Sequence, residues 1–93
     1  MTTAFVVHEV EDGDVWAQAW HKGPGSRHEM FAELGVKARN FRDPENPNLT
    51  GVFLEIPDLD KFKAFLASDR GKTAMKEDRL RVDTLRLLTE FTP

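Results

Sequence analysis

The stretch Glu9-Val10-Glu11-Asp12-Gly13-Asp14-Val15-Trp16 has a second copy of its pattern, Glu55-Ile56-Pro57-Asp58-Leu59-Asp60-Lys61-Phe62, about half of the 93-residue chain later. Both copies place an aliphatic residue after Glu, then two Asp residues, then an aromatic residue. A run rich in β-branched and aromatic residues precedes each copy, and a helix-like run follows it. Asp is favoured at such a junction because its carboxylate accepts a hydrogen bond from a free N–H at the helix start. The chain is therefore predicted to contain two strand–Asp–helix units.

Apolar periodicity and turn residues predict the other elements. Strands are expected over residues 3–10, 36–42, 49–56 and 82–91. Asp12 or Asp14 is expected to cap the first helix, in which Trp16 and Trp20 share a face at i, i+4 spacing. The run Asp43-Pro44-Glu45-Asn46-Pro47-Asn48 is typical of a turn and predicts an antiparallel hairpin between the second and third strands.

Both predicted helices are interrupted. Gly23-Pro24-Gly25 breaks the first helix, because two glycines and a proline do not continue a helix cheaply. Ser26-Arg27-His28-Glu29 restarts it as a capping box, and Gly35 is expected to end this second piece. Asp58 opens the other helix, which Ser68-Asp69-Arg70-Gly71 is expected to break before a further helical piece over residues 72–80.

The predicted order is β-α-β-β-α-β in a single domain of residues 1–93, an α+β, ferredoxin-like fold. Right-handed crossovers place the helices on one face of a four-stranded antiparallel sheet. The strands carry apolar residues on both faces; the first strand has Ala4 and Val6 on one side and Phe5 and Val7 on the other. Since the helices cover one face only, the open face is expected to pack on a second copy, giving a homodimer. Gly51 predicts a bulge or a close approach in the third strand.

Composition excludes several classes of function. The chain has no cysteine, which removes thiol catalysis, thiolate metal sites and disulfides. A net charge of −3 with dispersed Lys and Arg gives no basic stripe, so no nucleic-acid partner is expected. Apolar runs fall far short of the ~20 residues that span a bilayer, so no membrane association is expected either. The first residues do not resemble a signal peptide, and the expected location is the cytoplasm.

Short motifs along nearly the whole chain carry a resemblance to a known family. They are Val7-His8-Glu9-Val10, Asp14-Val15-Trp16, Gly35-Val36, Asn40-Phe41-Arg42-Asp43-Pro44, Pro47-Asn48, Glu55-Ile56-Pro57-Asp58-Leu59-Asp60-Lys61, Ala64-Phe65-Leu66-Ala67-Ser68 and Met75. With these motifs the chain resembles the dimeric α+β barrel superfamily, and within it the small cyclase-like or stress-responsive members. That superfamily also includes antibiotic-biosynthesis-type monooxygenases and muconolactone isomerase-like proteins. The chain departs from the usual pattern at Gly23-Pro24-Gly25, and a complete set of monooxygenase active-site residues cannot be assigned to it.

His8 is the candidate catalytic residue, because a neutral imidazole in mid-strand can act as a base or as a hydrogen-bond partner of a ligand. The alternative is a core histidine that is satisfied by a neighbouring group. The candidate substrate-binding residues offer aromatic stacking, a guanidinium for an acidic or enol-bearing ligand, a second imidazole and an adaptable thioether wall. They are Trp16, Trp20, His28, Arg39 and Met75. The alternatives are core positions for the indoles and a solvent or dimer contact for the guanidinium.

No metal site and no cofactor are predicted. His8, His21 and His28 do not have the i, i+4 spacing of a helical metal pair. The paired Asp residues before the two helices lack the further ligands and the closing Glu of a calcium loop, and helix capping explains their positions.

Three functional hypotheses follow. The first is a small-molecule-binding protein with a pocket between the sheet and the broken first helix. The second is a cofactor-independent monooxygenase, isomerase or cyclase acting on an acidic aromatic or polyketide-like substrate, with His8 as base and Arg39 as cation. The third is a dimeric structural or regulatory protein without a pocket.

Overall fold

A computed structural model describes all 93 residues. Its strands are β1 (Thr2–Glu9), β2 (Lys37–Arg42), β3 (Leu49–Ile56) and β4 (Arg86–Thr89), and its helices are α1 (Gly13–Trp20), α2 (Arg27–Ala32), α3 (Leu59–Ala67) and α4 (Asp69–Glu77). The four strands form one antiparallel sheet in the order β2-β3-β1-β4. This topology confirms the predicted ferredoxin-like α+β fold. No helix is both long and apolar enough to cross a membrane.

The two copies of the repeated motif have the same local structure. Asp12 caps α1 with φ −144° and ψ 103°, and Asp58 caps α3 with φ −138° and ψ 102°. The Asp12 carboxylate accepts from the Asp14 and Val15 N–H groups at 3.0 and 3.3 Å, and that of Asp58 accepts from the Lys61 N–H at 3.1 Å. The first Asp of each pair is therefore the cap, which decides between Asp12 and Asp14.

The first helix is broken at the predicted place. Ser26 caps α2 and accepts a hydrogen bond from the Glu29 N–H at 3.2 Å. The expected capping box is only half formed, because the Ser26 N–H donates to the Gly23 carbonyl rather than to the Glu29 side chain. Gly35 has φ +71° and ends this segment as predicted, and the Val36 N–H reaches back to the Phe31 carbonyl at 3.0 Å.

The break in the second half is shorter than predicted. The expected break over Ser68–Gly71 is wrong, because Ser68 alone separates the two helices and α4 begins at Asp69. The Ser68 N–H donates to the Phe65 carbonyl at the end of α3, and its hydroxyl oxygen accepts from the Gly71 N–H at the start of α4. One residue therefore serves as C-cap and N-cap, and no longer linker is needed.

The last strand is also shorter than predicted. Residues 82–84 form a 3-10 helix, and the strand covers only Arg86–Thr89. The Thr84 hydroxyl donates to the Arg81 carbonyl at 2.6 Å and accepts from the Glu9 N–H at 2.9 Å, so this segment is held by local bonds and a side-chain contact with β1. Phe91, predicted to lie in the strand, is 82% exposed.

The core lies between the helices and one face of the sheet. Ala4, Val6 and His8 of β1 are buried on this face, together with the helical Trp16 and Phe62. This arrangement follows from the strand alternation and from the spacing of the apolar helix residues.

The other face of the sheet carries apolar side chains that no element of the chain covers. Phe5 pairs with Phe53 on β3 and with Leu88 on β4, and Phe41 of β2 lies 5.5 Å from Phe5, centroid to centroid. A Cβ at Gly51 would lie 2.7 Å from the Phe5 ring, so the glycine is required by close approach, and the regular β1–β3 register shows no bulge there. We refer to this surface, which includes Phe5, Phe41, Phe53 and Leu88, as the open face.

Candidate functional site

A cavity of about 60 Å³ lies between the core face of the sheet and the helices. Most of its lining is aliphatic or aromatic, from β1, β3 and all four helices. The polar groups at its wall are few, and they belong to His8, Trp16, Trp20, Arg27 and Asp78. A mostly apolar cavity with a small number of placed polar groups has the composition of a ligand site.

His8 is held at the cavity wall by the pairing of β1 with β3. Thr50 lies directly opposite it in the register, and the Thr50 Oγ1 is 2.6 Å from the His8 Nδ1 and 3.0 Å from the His8 carbonyl oxygen. Burial lowers the pKa of the His8 imidazole below its ordinary value, and a hydrogen bond to its own backbone opposes that shift. The Nε2 has no hydrogen-bond partner within the protein, so this cavity-lining residue has one uncommitted ring nitrogen.

The two indoles of α1 form the neighbouring wall. Trp16 packs edge-on against His8 with ring centroids 6.0 Å apart, and the Trp20 ring lies 6.4 Å from that of Trp16. Both Nε1 atoms are fully buried, and neither has a hydrogen-bond partner within the protein. A buried polar group without a partner is costly, so two such donors beside one cavity require an explanation.

Arg27 and Asp78 form a buried ion pair between α2 and the residue that follows α4. The Arg27 Nε lies 2.9 Å from Asp78 Oδ2, and its Nη2 lies 2.8 Å from Asp78 Oδ1. Burial raises the pKa of the Asp78 carboxyl, and the bonds from Arg27 oppose this rise. These same bonds raise the pKa of the Arg27 guanidinium. The pair joins the two helical segments where both border the cavity.

The other predicted site residues are placed differently. Met75 of α4 lines the cavity with the two indoles. His28 does not line it and packs edge-on against Trp20, with ring centroids 5.0 Å apart. Arg39 lies on the open face, with its guanidinium carbon 5.8 Å from the ring centroids of both Phe41 and Phe53. The structure therefore does not bring Arg39 together with His8, because alternation along β2 points it away from the core.

Thr50, Arg27 and Asp78 were missed by the sequence analysis. Thr50 had a usable signal, since the predicted hairpin and strand alternation put it on the core face of β3. Arg27 and Asp78 are 51 residues apart and lie among other charged residues, so no local pattern distinguishes them. No three His, Asp or Glu side chains lie close enough together to hold a metal ion.

Comparison with solved structures adds information about the fold. One crystal structure of an antibiotic biosynthesis monooxygenase has a TM-score of 0.68 and 11% identity, covering 100% of this chain and 99% of its own. A Bacteroides thetaiotaomicron protein assigned to the same class has the same TM-score and 15% identity, covering 98% of this chain and 88% of its own. A third, from Nitrosomonas europaea, has a TM-score of 0.68 and 10% identity, covering 99% and 98%.

The chain has the fold of these proteins. At 10 to 15% identity the likeness concerns the ferredoxin-like fold alone. No family model matches the sequence, and no curated protein matches it. The chemistry of the site must therefore be argued from its own residues.

Proposed function

We propose that the chain binds a small organic molecule in the cavity between the sheet and the helices. The observation that carries the proposal is that an otherwise apolar cavity is lined by three residues with uncommitted polar atoms. Trp16 and Trp20 have buried Nε1–H donors without a partner, and the only ring nitrogen of His8 with a hydrogen-bond partner is Nδ1. A ligand with its own hydrogen-bonding groups would satisfy all three, which a purely structural core does not require.

The groups at the wall define the class of ligand. The indoles donate, so they complement carbonyl or ether oxygens. Arg27 is neutralised by Asp78, and the cation considered for an acidic ligand, Arg39, is on the opposite face. We therefore infer a neutral aromatic or polyketide-like molecule with carbonyl and hydroxyl groups, in preference to a carboxylic acid.

The size of the cavity implies that binding is coupled to movement. A volume of about 60 Å³ is well below the roughly 300–1,000 Å³ of sites for drug-sized ligands. The Arg27–Asp78 pair joins α2 to the end of α4, and Gly23 and Gly25, both with positive φ, precede α2. We infer that α2 moves away from α4 to admit the ligand, because α2 contributes several wall residues.

Base catalysis on the bound ligand is the second candidate function, and the neutral His8 favours it. Burial lowers the pKa of the His8 imidazole, so the ring is neutral and has one basic nitrogen at neutral pH. An imidazole in this state can take a proton from an enol or phenol and leave an electron-rich anion, the common first step of isomerase, cyclase and cofactor-independent monooxygenase chemistry. The description of the similar structures as antibiotic biosynthesis monooxygenases supports this candidate.

We also propose that the protein is a homodimer joined through the open face. Phe41 is 43% exposed and Leu88 is 56% exposed in the isolated chain, and both lie beside the part-buried Phe5. A second copy that packs its own open face against this one would remove these side chains from water.

The two indole N–H groups allow a direct test of ligand binding, since the chain has only two tryptophans. Hydroxylated aromatic probes from phenol to 1-naphthol and 5-hydroxy-1,4-naphthoquinone are titrated while the two indole ¹H–¹⁵N signals are followed by NMR. We expect saturable shifts of both signals. Ala74→Leu, which fills the cavity from α4, should abolish them, whereas Ala64→Leu on the exposed surface of α3 should not.

Two results would contradict the proposal. One is that no probe shifts the indole signals, and the other is that the Ala74→Leu variant binds the probes with the affinity of wild type. For the second candidate, His8→Ala must remove any turnover of a bound probe. Unchanged turnover would show that His8 is not the base.

A further inference from the structure

Thr50 stands in an unusual relation to His8. The two residues face each other across β1 and β3, and both are buried, with 3% and 4% of their surfaces exposed. The Thr50 hydroxyl is within hydrogen-bond distance of two atoms of the same histidine, the ring Nδ1 at 2.6 Å and the carbonyl oxygen at 3.0 Å. No other side chain is hydrogen-bonded to the Nδ1.

The number of hydrogens available for these two contacts selects one tautomer of the His8 ring. A threonine hydroxyl has one hydrogen to donate and lone pairs with which to accept. The carbonyl oxygen of His8 only accepts, so the hydroxyl hydrogen must point at it for the 3.0 Å contact to be a hydrogen bond. The hydroxyl oxygen then presents a lone pair to Nδ1, and the 2.6 Å contact is a hydrogen bond only if Nδ1 carries the ring proton. The other tautomer can satisfy just one of the two contacts.

The tautomer of His8 also determines which hydrogen-bonding group His8 presents to a ligand. With the proton on Nδ1, the Nε2 has a lone pair and accepts hydrogen bonds or protons. With the proton on Nε2, His8 would become a third donor beside the two indoles, and the cavity would contain no acceptor at its His8 wall. The tautomer therefore decides whether a ligand hydroxyl can be bound and deprotonated.

We propose that Thr50 is a positioning residue that holds His8 in the Nδ1–H tautomer and so makes the His8 Nε2 the hydrogen-bond acceptor for a ligand O–H or N–H. The assignment of the tautomer depends on the geometry of the ligand-free protein. Its consequence for the ligand rests on the proposed function.

The tautomer is measured in the ligand-free protein by long-range ¹H–¹⁵N correlation NMR of histidine-labelled samples, at about one pH unit above the ordinary histidine pKa. In wild type we expect a protonated, pyrrole-type Nδ1 and a pyridine-type Nε2 for His8. Thr50→Val keeps the branched shape and removes the hydroxyl, so it should shift His8 toward the Nε2–H form. Thr50→Ser restores a hydroxyl and should restore the wild-type pattern, and Thr3→Val, away from His8 on β1, should leave it unchanged.

The wild-type spectrum alone can overturn the proposal. A pyridine-type Nδ1 in wild-type His8 would do so, even if Thr50→Val fails to fold. A Thr50→Val spectrum identical to that of wild type would also contradict the proposal. For the ligand, affinities for 1-naphthol and its methyl ether are compared. Thr50→Val should weaken 1-naphthol binding by roughly tenfold, the loss of about one hydrogen bond, and should not weaken binding of the methyl ether.

The tautomer measurement and the ligand titration test the role of Thr50 and the proposed function separately. If the Thr50→Val tautomer shifts but wild type binds neither probe, the proposed function fails and the role of Thr50 in setting the tautomer stands. If both probes bind wild type and Thr50→Val weakens them equally, the role of Thr50 in ligand selection is wrong.

Discussion

At the scale of single residues, His8 occupies a position that strand alternation assigns to the core, yet it brings two ring nitrogens into that core. Thr50 satisfies one nitrogen, and the other is left to the cavity. An aliphatic residue at this position would pack without the desolvation of a polar ring. The imidazole therefore lowers stability relative to an apolar residue, and the proposed contact with a ligand would give this arrangement a function.

The buried imidazole predicts how stability depends on pH. Burial lowers the pKa of His8, so below the unfolded-state value of about 6.5 the unfolded chain binds a proton that the folded chain does not. The contribution of His8 to stability is thus fully present above this value, and it is lost as the pH falls toward the lowered pKa. Urea unfolding of wild type and His8→Gln from about pH 8 to about pH 5 measures the effect.

The free energy of unfolding of wild type minus that of His8→Gln should decline as the pH falls through this window. Taking the difference removes the contribution of Asp78, which has the opposite sign, because burial raises the pKa of that carboxyl and its contribution falls as the pH rises above 3.8. His21→Gln, which removes an exposed histidine, is the comparison variant. Parallel curves for wild type and His8→Gln would contradict the prediction.

The site was only partly predictable from the sequence, for reasons that differ between residues. His8, Trp16 and Trp20 were found because strand alternation and i, i+4 spacing place them on the core side of their elements. Arg39 could have been excluded by the same alternation, since it lies opposite Phe53, on the face away from Leu54. The tautomer of His8, by contrast, depends on a hydrogen-bond geometry that only the paired strands define.

At the scale of elements, the repeated motif determines where the helices begin. Asp12 and Asp58 act as caps because each carboxylate accepts hydrogen bonds from free N–H groups at a strand-to-helix junction. This effect is local, so it can be predicted from the sequence. The boundaries that were wrong depend on side chains acting at both ends of a break. Ser68 ends α3 and starts α4, and Thr84 draws the chain into a 3-10 turn before β4.

The Arg27–Asp78 pair is expected to fasten α2 to the end of α4. Their side chains are 15% and 7% exposed, so removing Arg27 leaves the Asp78 carboxylate buried without its partner. Removing Asp78 leaves the Arg27 guanidinium with only the exposed Glu77 carboxylate, 3.5 Å away. Arg27→Met or Asp78→Leu alone should lower the free energy of unfolding by about 3 kcal/mol, and the double variant should cost less than the two single changes combined. Urea denaturation of the four proteins measures this coupling.

A second ion pair joins the same two helical segments at the surface and serves as a matched control. The Arg70 guanidinium lies 2.7 Å from the Glu33 carboxylate, but these side chains are 60% and 59% exposed. Arg70→Met should therefore cost less than about 1 kcal/mol. Equal losses for Arg27→Met and Arg70→Met would show that burial does not strengthen the inner pair.

At the scale of the whole molecule, the order of strands and helices could be predicted because two similar halves leave few topologies open. Crossover handedness and the placement of apolar residues then assign the helices to one face of the sheet. The interior volume could not be predicted from the sequence, because it depends on how side chains from six elements pack together. The same alternation that assigned the core face also predicts an apolar open face, and this leads to the quaternary structure.

The homodimer is tested with two lysine substitutions, one on the open face and a control outside the sheet. Leu88→Lys places an ammonium group beside Phe5 on the open face, whereas Val82→Lys, at a residue of similar exposure (60% against 56%), lies in the 3-10 helix outside the sheet. Sedimentation at micromolar concentration should give twice the 10.6 kDa chain mass for wild type and Val82→Lys, and the chain mass for Leu88→Lys. Circular dichroism should show that Leu88→Lys is folded, since Leu88 is mostly exposed within the single chain. A wild-type protein that sediments as a 10.6 kDa species, or a Leu88→Lys variant that stays dimeric, would show that the open face does not join two copies.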